Sequence, residues 1–348
     1  MSLTLHVDTA RWQAHLDRTV ADFPGIVPVV KGNGYGFGAD ELFPVCRRIT
    51  DTAAPAMNAV GTYREAPAAV AALAGSGAAV LVLEPFRRGL HDQLDGLDAP
   101  SLVHTVTDLA DLAAFTRLAP GARFVAEGLT TMNRHGAPAD RFGELLGADP
   151  ARLLGGTLHM PLGAGHVTEV AGWVDRFPSL DTWFVSHLSA TELAGLRAAY
   201  PAVAFRPRIG TALWLGAPDA LSVRADVLDV RPVVAGDRAG YRGRRLPAGH
   251  LVVVSGGTAH GVAMAAPTSA ATLRQRVIAL AEGASEAIGR VRSPFVHAGA
   301  HLWFVEPPHM QVSLVHVPRG VDAPGVGESL SARVRLTTTT VDEVVWDA

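Results

Sequence analysis

Cysteine is nearly missing from this chain of 348 residues. The single Cys46 rules out an internal disulfide and a cysteine metal cluster, and no metal site is expected. Charge is also sparse: Asp, Glu, Lys and Arg make up 18% of residues, the formal net charge is −3, and no long basic run occurs. That balance gives no electrostatic grounds for binding nucleic acid or an anionic membrane surface. No apolar run approaches the roughly 18 residues that a membrane span requires. The opening MSLTLHVDTARWQ has no apolar core behind positive charge, so no secretory leader is expected and the cytoplasm is the expected compartment. What the chain does have is 48% hydrophobic residues, enough to bury a large core.

Those hydrophobic residues fall into a repeating order. Eight short apolar runs, rich in β-branched residues, occupy the first 210 positions: IVPVVK (26–31), MNAVG (57–61), AVLVLE (79–84), SLVHTV (101–106), ARFVAE (122–127), GGTLHM (155–160), TWFVSH (182–187) and VAFRPR (203–208). Between them lie stretches of helical period such as DELFPVCRRI, REAPAAVAALAG, TDLADLAAFTRL and ATELAGLRAAY. Alternating strands and helices imply a parallel sheet, and eight units point to a closed (β/α)8 barrel of the TIM type, with an open doubly wound sheet as the alternative.

Beyond about residue 222 the pattern changes. ALSVRADVLDVRPV, HLVVVSGG, HMQVSLVHV and SARVRLTTTT read as strands between Gly and Pro turns, and TLRQRVIALAE is the one clear helical stretch. The expected organisation is a barrel over 1–220 and a mostly β C-terminal domain over 221–348, with a first strand at about 3–8 that could join the β domain.

The first barrel strand ends in VVKGNGYGFG, with four glycines in ten residues. Leaving a lysine charged and unpaired at the end of an apolar strand is costly, and a depressed pKa or a Schiff base to an aldehyde relieves that cost. Glycines beside it allow backbone to approach a ligand closely. Barrel active sites form at the C-terminal strand ends, where Lys31 falls. The plainer alternative is a lysine whose stem snorkels from a strand end.

This motif resembles the cofactor-lysine segment of alanine racemases and their fold-type III relatives, which use pyridoxal 5'-phosphate (PLP). Three further segments are similar in the same order: MNRHGA (132–137), SHLSAT (186–191) and RIGTALWLG (208–216). The resemblance covers the barrel and, more loosely, the β domain. It implies that Lys31 holds PLP and serves as the base on one face of the substrate. It also implies that Arg208 faces the ring nitrogen and that His187 packs against the ring. Tyr35, Thr191, Gly210 and Thr211 then surround the phosphate. Arg134 receives the carboxylate of a small amino acid, with Glu127 beside it in place of a carbamylated lysine. A head-to-tail homodimer is the assembly implied.

The chain departs from that pattern in the β domain. Alanine racemases take a second base from a Gly-Tyr-Ala-Asp-Gly motif, and the matching GTAHG here puts Thr258 at the tyrosine and His260 at the aspartate. A threonine hydroxyl is no base near neutral pH, so the role is absent or passes to His260 or to Tyr241 of GYRGR. VEPPHMQV stands where the family donates a backbone N–H to the carboxylate, and Pro307 and Pro308 have none to give. The closing TTTTVDEVVWDA lacks a counterpart of the segment that narrows the family's substrate entrance, which implies room for a larger substrate. The expected activity is therefore PLP-dependent amino-acid racemisation or epimerisation, of atypical specificity. The alternatives are a one-base decarboxylase or lyase on the same scaffold, and a PLP-binding protein without racemase activity.

Overall fold

The computed structural model describes residues 2–50, 56–264 and 291–348. The helical stretch expected over 272–282 lies outside them. Two compact units emerge: Ala14–Gly34 with Ala39–Gly216, and Met1–Gln13 with Tyr35–Gly38 and Ala217–Ala348.

The first unit is a closed barrel of eight parallel strands. After β1 (Leu3–Asp8) and α1 (Thr9–Asp22), the barrel strands are β2 (Val27–Val30), β3 (Met57–Val60), β4 (Ala79–Pro85), β5 (Leu102–Val106), β6 (Arg123–Gly128), β7 (Leu153–Leu158), β8 (Thr182–Val185) and β9 (Ala204–Ile209). Each of the eight apolar runs supplies one strand. The ring closes where β9 pairs with β2, Val27 opposite Arg208 and Pro28 opposite Ile209. Alternate residues point inward, so Val27 and Val29, Met57 and Ala59, Ala79 and Leu81, Val103, Val125 and Phe184 pack into one buried plug.

The outer helices are α2 (Ala39–Thr50), α3 (Ala66–Ala72), α4 (Leu109–Leu118), α5 (Ala139–Ala148), α6 (His166–Arg176), α7 (Ala190–Ala199) and α8 (Thr211–Leu215). Their starts are set by sequence: Asp108 caps α4 through Ala110 N–H, and Ser189 with Glu192 forms a capping box on α7. No helix links β4 to β5. The intervening FRRGLHDQLDGLDAPS is punctuated by Gly89 and Gly96, both at positive φ, and resolves into turns.

The second unit is a mostly antiparallel sheet to which β1 belongs. Its strands are β10 (Leu221–Val233), β13 (Gly249–Ser255), β14 (Arg292–His297), β15 (Ala300–Phe304), β16 (Val312–Pro318), β17 (Ser329–Ala332) and β18 (Glu343–Asp347), with a small hairpin of β11 (Arg238–Ala239) and β12 (Arg244–Arg245) beside it. β1 pairs β10 antiparallel and β18 parallel. The long β10 is irregular between Val227 and Asp229, pairing β1 and β17 before that point and β13 after it. This double pairing joins β13, β16, β15, β14, β17 and β10 into a ring. One expectation fails here: of SARVRLTTTT, residues 333–340 form no strand. Thr338 turns back instead, its amide and hydroxyl both donating to the Arg335 carbonyl, a local bond that competes with a ladder.

Candidate active site at the barrel mouth

Lys31 leaves the end of β2 on a tightly specified turn. Gly34 N–H donates to the Lys31 carbonyl at 3.2 Å, and Gly34 has φ +61 with no room for a Cβ, which would lie 2.7 Å from Ala39 N. Glu65 braces the same turn: its carboxylate accepts from Gly32 N–H at 2.6 Å and from Thr62 N–H at 2.9 Å. Gly61, just past β3, lets the lysine stem by, since a Cβ there would sit 2.9 Å from Lys31 Cβ. The Lys31 amine is held below the usual lysine range. Desolvation is the first cause, then repulsion by Arg134 and Arg208, with Glu65 opposing.

Arg208, near the end of β9, is buried. One terminal nitrogen donates to the Leu158 carbonyl at 3.0 Å, while its Nε is buried with no partner among the described residues. Burial lowers its pKa to about 10 against the opposing field of Glu127, so the guanidinium still keeps its charge at neutral pH. Glu127, at the end of β6, is 3% exposed, with one carboxyl oxygen unpartnered. Desolvation raises its pKa, and Arg208 and Arg134 pull it back down. An orphaned donor and an orphaned acceptor in one charged cluster form a polar floor prepared for a ligand.

Arg134 stands on the loop that follows β6. Ala137 N–H donates back to the Glu127 carbonyl and Leu129 N–H to the Ala137 carbonyl, closing the loop on itself. Thr130 Oγ1 donates to the His159 carbonyl, and Thr131 is held through both its amide and its hydroxyl by Glu169. The exposed Arg134 has no hydrogen-bond partner among the described residues and acts on its neighbours by charge.

His159, just after β7, is, like Glu65, a residue that sequence reasoning missed. Its Nδ1 lies 3.0 Å from Ser186 Oγ, and that hydroxyl also accepts from Met160 N–H, so its proton is free for the imidazole. Burial, Arg208 and Arg134 drive the His159 pKa down to about 3 and keep the ring neutral. His187 follows β8 with φ +61, an uncommon backbone state for a histidine. Its ring meets that of His159 edge-on at 5.4 Å, and its pKa is also lowered, first by burial and then by Arg208. Thr191 lies in the first turn of α7; Gly210 precedes α8 and Thr211 opens it. Helix starts of this kind leave amide N–H groups free for an anion.

Lys31, Arg134, Glu127, His187 and Arg208 thus share one electrostatic cluster in the barrel unit. Tyr35 falls in the other unit, with Gly36, Phe37 and Gly38. There Phe37 packs against Trp12 and Trp346, with ring centroids 5.3 and 6.0 Å apart.

The three second-base candidates also lie in the β unit, and their surroundings differ. His260 uses both ring nitrogens locally: Gly257 N–H donates to Nδ1 at 3.2 Å, and Nε2 sits 3.1 Å from Asp342. Exposed Thr258 is held through its amide by the His309 carbonyl. Tyr241 is 88% exposed, its hydroxyl makes no hydrogen bond among the described residues, and its ring packs on His309 at 4.5 Å. Buried Glu306 ties this pair together, accepting from Tyr241 N–H at 2.9 Å and from His309 Nε2 at 2.7 Å.

Among the described residues no helix is long and apolar enough to cross a membrane. The family described as alanine racemase, N-terminal domain, matches residues 7–162. Among solved structures, the alanine racemase from Bartonella henselae with covalently bound pyridoxal phosphate is 17% identical, with a TM-score of 0.72 and 100% of each chain covered. An alanine racemase of Clostridium difficile 630 is 15% identical at TM-score 0.69, covering 99% of this chain and 96% of its own. That of E. faecalis is 18% identical at TM-score 0.68, covering 99% and 98%. At such identities the likeness is one of fold. No curated protein sequence matches the chain. Through the match over residues 7–162, the chain is similar to the N-terminal domain of alanine racemases.

Proposed function

We propose that this protein is a PLP-dependent amino-acid racemase or epimerase working on a small amino acid. The observation that carries the reading is the buried, partnerless Nε–H of Arg208. It suits the unprotonated nitrogen of a pyridine ring, in the same cluster as a lysine whose amine is already depressed. On that test the residues fit PLP. When bound, the cofactor supplies an aldehyde to hold amines and a conjugated ring to delocalise charge from the substrate α-carbon.

The chain's own groups divide the work. Lys31 holds the cofactor, and its Nζ takes and returns the α-proton on one face. Arg208 keeps its own proton, so the ring nitrogen stays neutral and the electron sink stays weak, which favours proton transfer over longer-lived carbanion chemistry. Thr191, Gly210 and Thr211 hold the phosphate. Arg134, with Glu127 behind it, receives the substrate carboxylate through its fork of donors. The neutral His159, or His187 beside it, faces the ring. For the opposite face, Tyr241 of the partner subunit is the better candidate, because its hydroxyl is free while both nitrogens of His260 are engaged. This assigns a cytoplasmic, head-to-tail homodimer in which one chain's β domain covers the other's barrel mouth and excludes water. A lyase relying on a cysteine is disfavoured, since Cys46 is fully buried and its thiol pKa is pushed up.

The test is α-proton exchange in D2O with individual L- and D-amino acids. Wild type should deuterate with inversion. Tyr241→Phe should lose exchange from one enantiomer by roughly 10²–10⁴-fold, while Thr258→Ala and His260→Ala keep it. Exchange with retention indicates a one-base enzyme, a decarboxylated product a lyase, and a Lys31 adduct without any exchange a binding protein. Any of these would overturn the racemase reading.

A further inference from the structure

β9 carries a second buried arginine, two residues before Arg208 and on the same face of the strand. Arg206 is 4% exposed. Its Nε donates to the Gly25 carbonyl at 3.2 Å, and its guanidinium lies 5.6 Å from the centre of the Phe184 ring. Both terminal nitrogens, Nη1 and Nη2, are buried without a partner among the described residues. A desolvated guanidinium that leaves two donors unused is costly unless something else accepts from them.

What lies beside it is a cavity of about 700 Å³ at the N-terminal ends of the barrel strands. Met57, Leu154 and Phe184 give it apolar walls, and Arg123 and Arg197 line it together with Arg206. Arg197 is fixed there, donating to the carbonyls of Pro24 and Phe205. Among the described residues no aspartate or glutamate lines the cavity, and none of the three arginines makes an ion pair. The plug of Val29, Ala59, Leu81, Val103 and Val125 fills the barrel interior, so this cavity is distinct from the mouth that holds Lys31.

We propose that the N-terminal mouth of the barrel is a binding site for an amphipathic organic carboxylate, whose two oxygens take Arg206 Nη1 and Nη2 while its apolar body lies against Met57, Leu154 and Phe184. With Nε engaged by Gly25, the free edge of the guanidinium is the end-on pair, which matches a planar two-oxygen head. A strongly hydrated inorganic anion gains nothing from the apolar walls. The volume lies within the range of small-molecule pockets. Arg123 and Arg197 add a positive field that draws the anion in without competing for the fork.

Calorimetric titration of the holoenzyme with octanoate, octanamide and inorganic phosphate tests this. Octanoate should bind saturably, one per chain. Octanamide and phosphate should bind much more weakly. Arg206→Met should weaken octanoate at least about thirtyfold, as for removal of one member of a buried charge pair. Arg206→Lys keeps the charge but loses the fork, and it should also weaken octanoate while preserving the wild-type cofactor spectrum. That second variant keeps the test valid if Arg206→Met does not fold. No saturable octanoate binding at millimolar concentration would overturn the proposal. So would phosphate binding as tightly as octanoate, or octanoate binding that survives both substitutions and is displaced by an active-site amino acid.

Discussion

His104 gives a quantitative test of how the barrel resists acid. It lies on β5 with no exposed surface, donates from Nε2 to the Leu97 carbonyl at 2.9 Å, and pairs Nδ1 with the Tyr63 hydroxyl at 3.0 Å. The ring of Phe115 is 4.5 Å away. In the neutral imidazole both nitrogens are satisfied, Nε2 as donor and Nδ1 as acceptor from the Tyr63 hydroxyl. Burial pulls its pKa from 6.5 to about 4, against the raising effect of the Leu97 bond. The unfolded chain therefore binds a proton at His104 before the folded chain does, and stability falls as pH drops through the window from 6.5 to about 4. For a group so shifted, linkage gives a loss of roughly 2.4 kcal/mol between pH 7 and pH 4.5. Urea unfolding of wild type and His104→Gln at those two pH values isolates this contribution, because every other titrating group is common to both. The variant should be less stable at pH 7 by about 1–3 kcal/mol for the broken hydrogen bonds, yet lose about 2 kcal/mol less than wild type on acidification. Parallel losses in the two proteins would refute the assignment of a buried neutral His104.

Two further outcomes are expected. Gly61→Ala drives a methyl group to 2.9 Å from Lys31 Cβ and 3.0 Å from the Glu65 carboxylate. It should cost about 1–3 kcal/mol of stability and slow borohydride-trapped PLP attachment to Lys31, measured by peptide mapping; wild-type attachment would refute the tight passage. Arg208→Gln removes a positive charge that depresses the Lys31 amine. Amine labelling of Lys31 in the cofactor-free protein should then need higher pH than in wild type, and an unchanged labelling profile would show that the field of Arg208 does not reach the amine.

How much of this was legible in the sequence follows from the range of each interaction. The strands were legible because burial on both faces of a parallel barrel forces continuous apolar runs, and each of the eight runs became a strand. Lys31 and Arg208 stood out because a charged residue at an apolar strand end is conspicuous on its own. Glu65 and His159 did not, since their significance lies in partners brought up by folding: Glu65 reaches Gly32 from the next strand-to-helix turn, and His159 meets Ser186 from the neighbouring strand. The β14–β15 hairpin hid for a different reason. Its two-residue turn, Ala298–Gly299, holds both residues at positive φ, and an alanine in that state carries none of the Asn or Asp signal by which such turns are recognised.

The second-base question shows the same division more sharply. GTAHG and GYRGR offered three side chains by type alone, and type favoured histidine, which titrates near neutral pH. Hydrogen bonding reverses that order. The imidazole of His260 accepts from Gly257 and faces Asp342, so taking a proton at Nδ1 would break the bond that holds its own loop. Tyr241 is fixed through its backbone by buried Glu306 and through its ring by His309, which leaves the hydroxyl unengaged on a held side chain. A group that must hand a proton to a ligand needs a rigid mount and an uncommitted polar atom together. Thr258 is also held through its amide, but its hydroxyl is no base near neutral pH. Of the three, Tyr241 is therefore the one that joins a held mount to a free group of the right chemistry, a combination of folded contacts that no spacing of letters encodes.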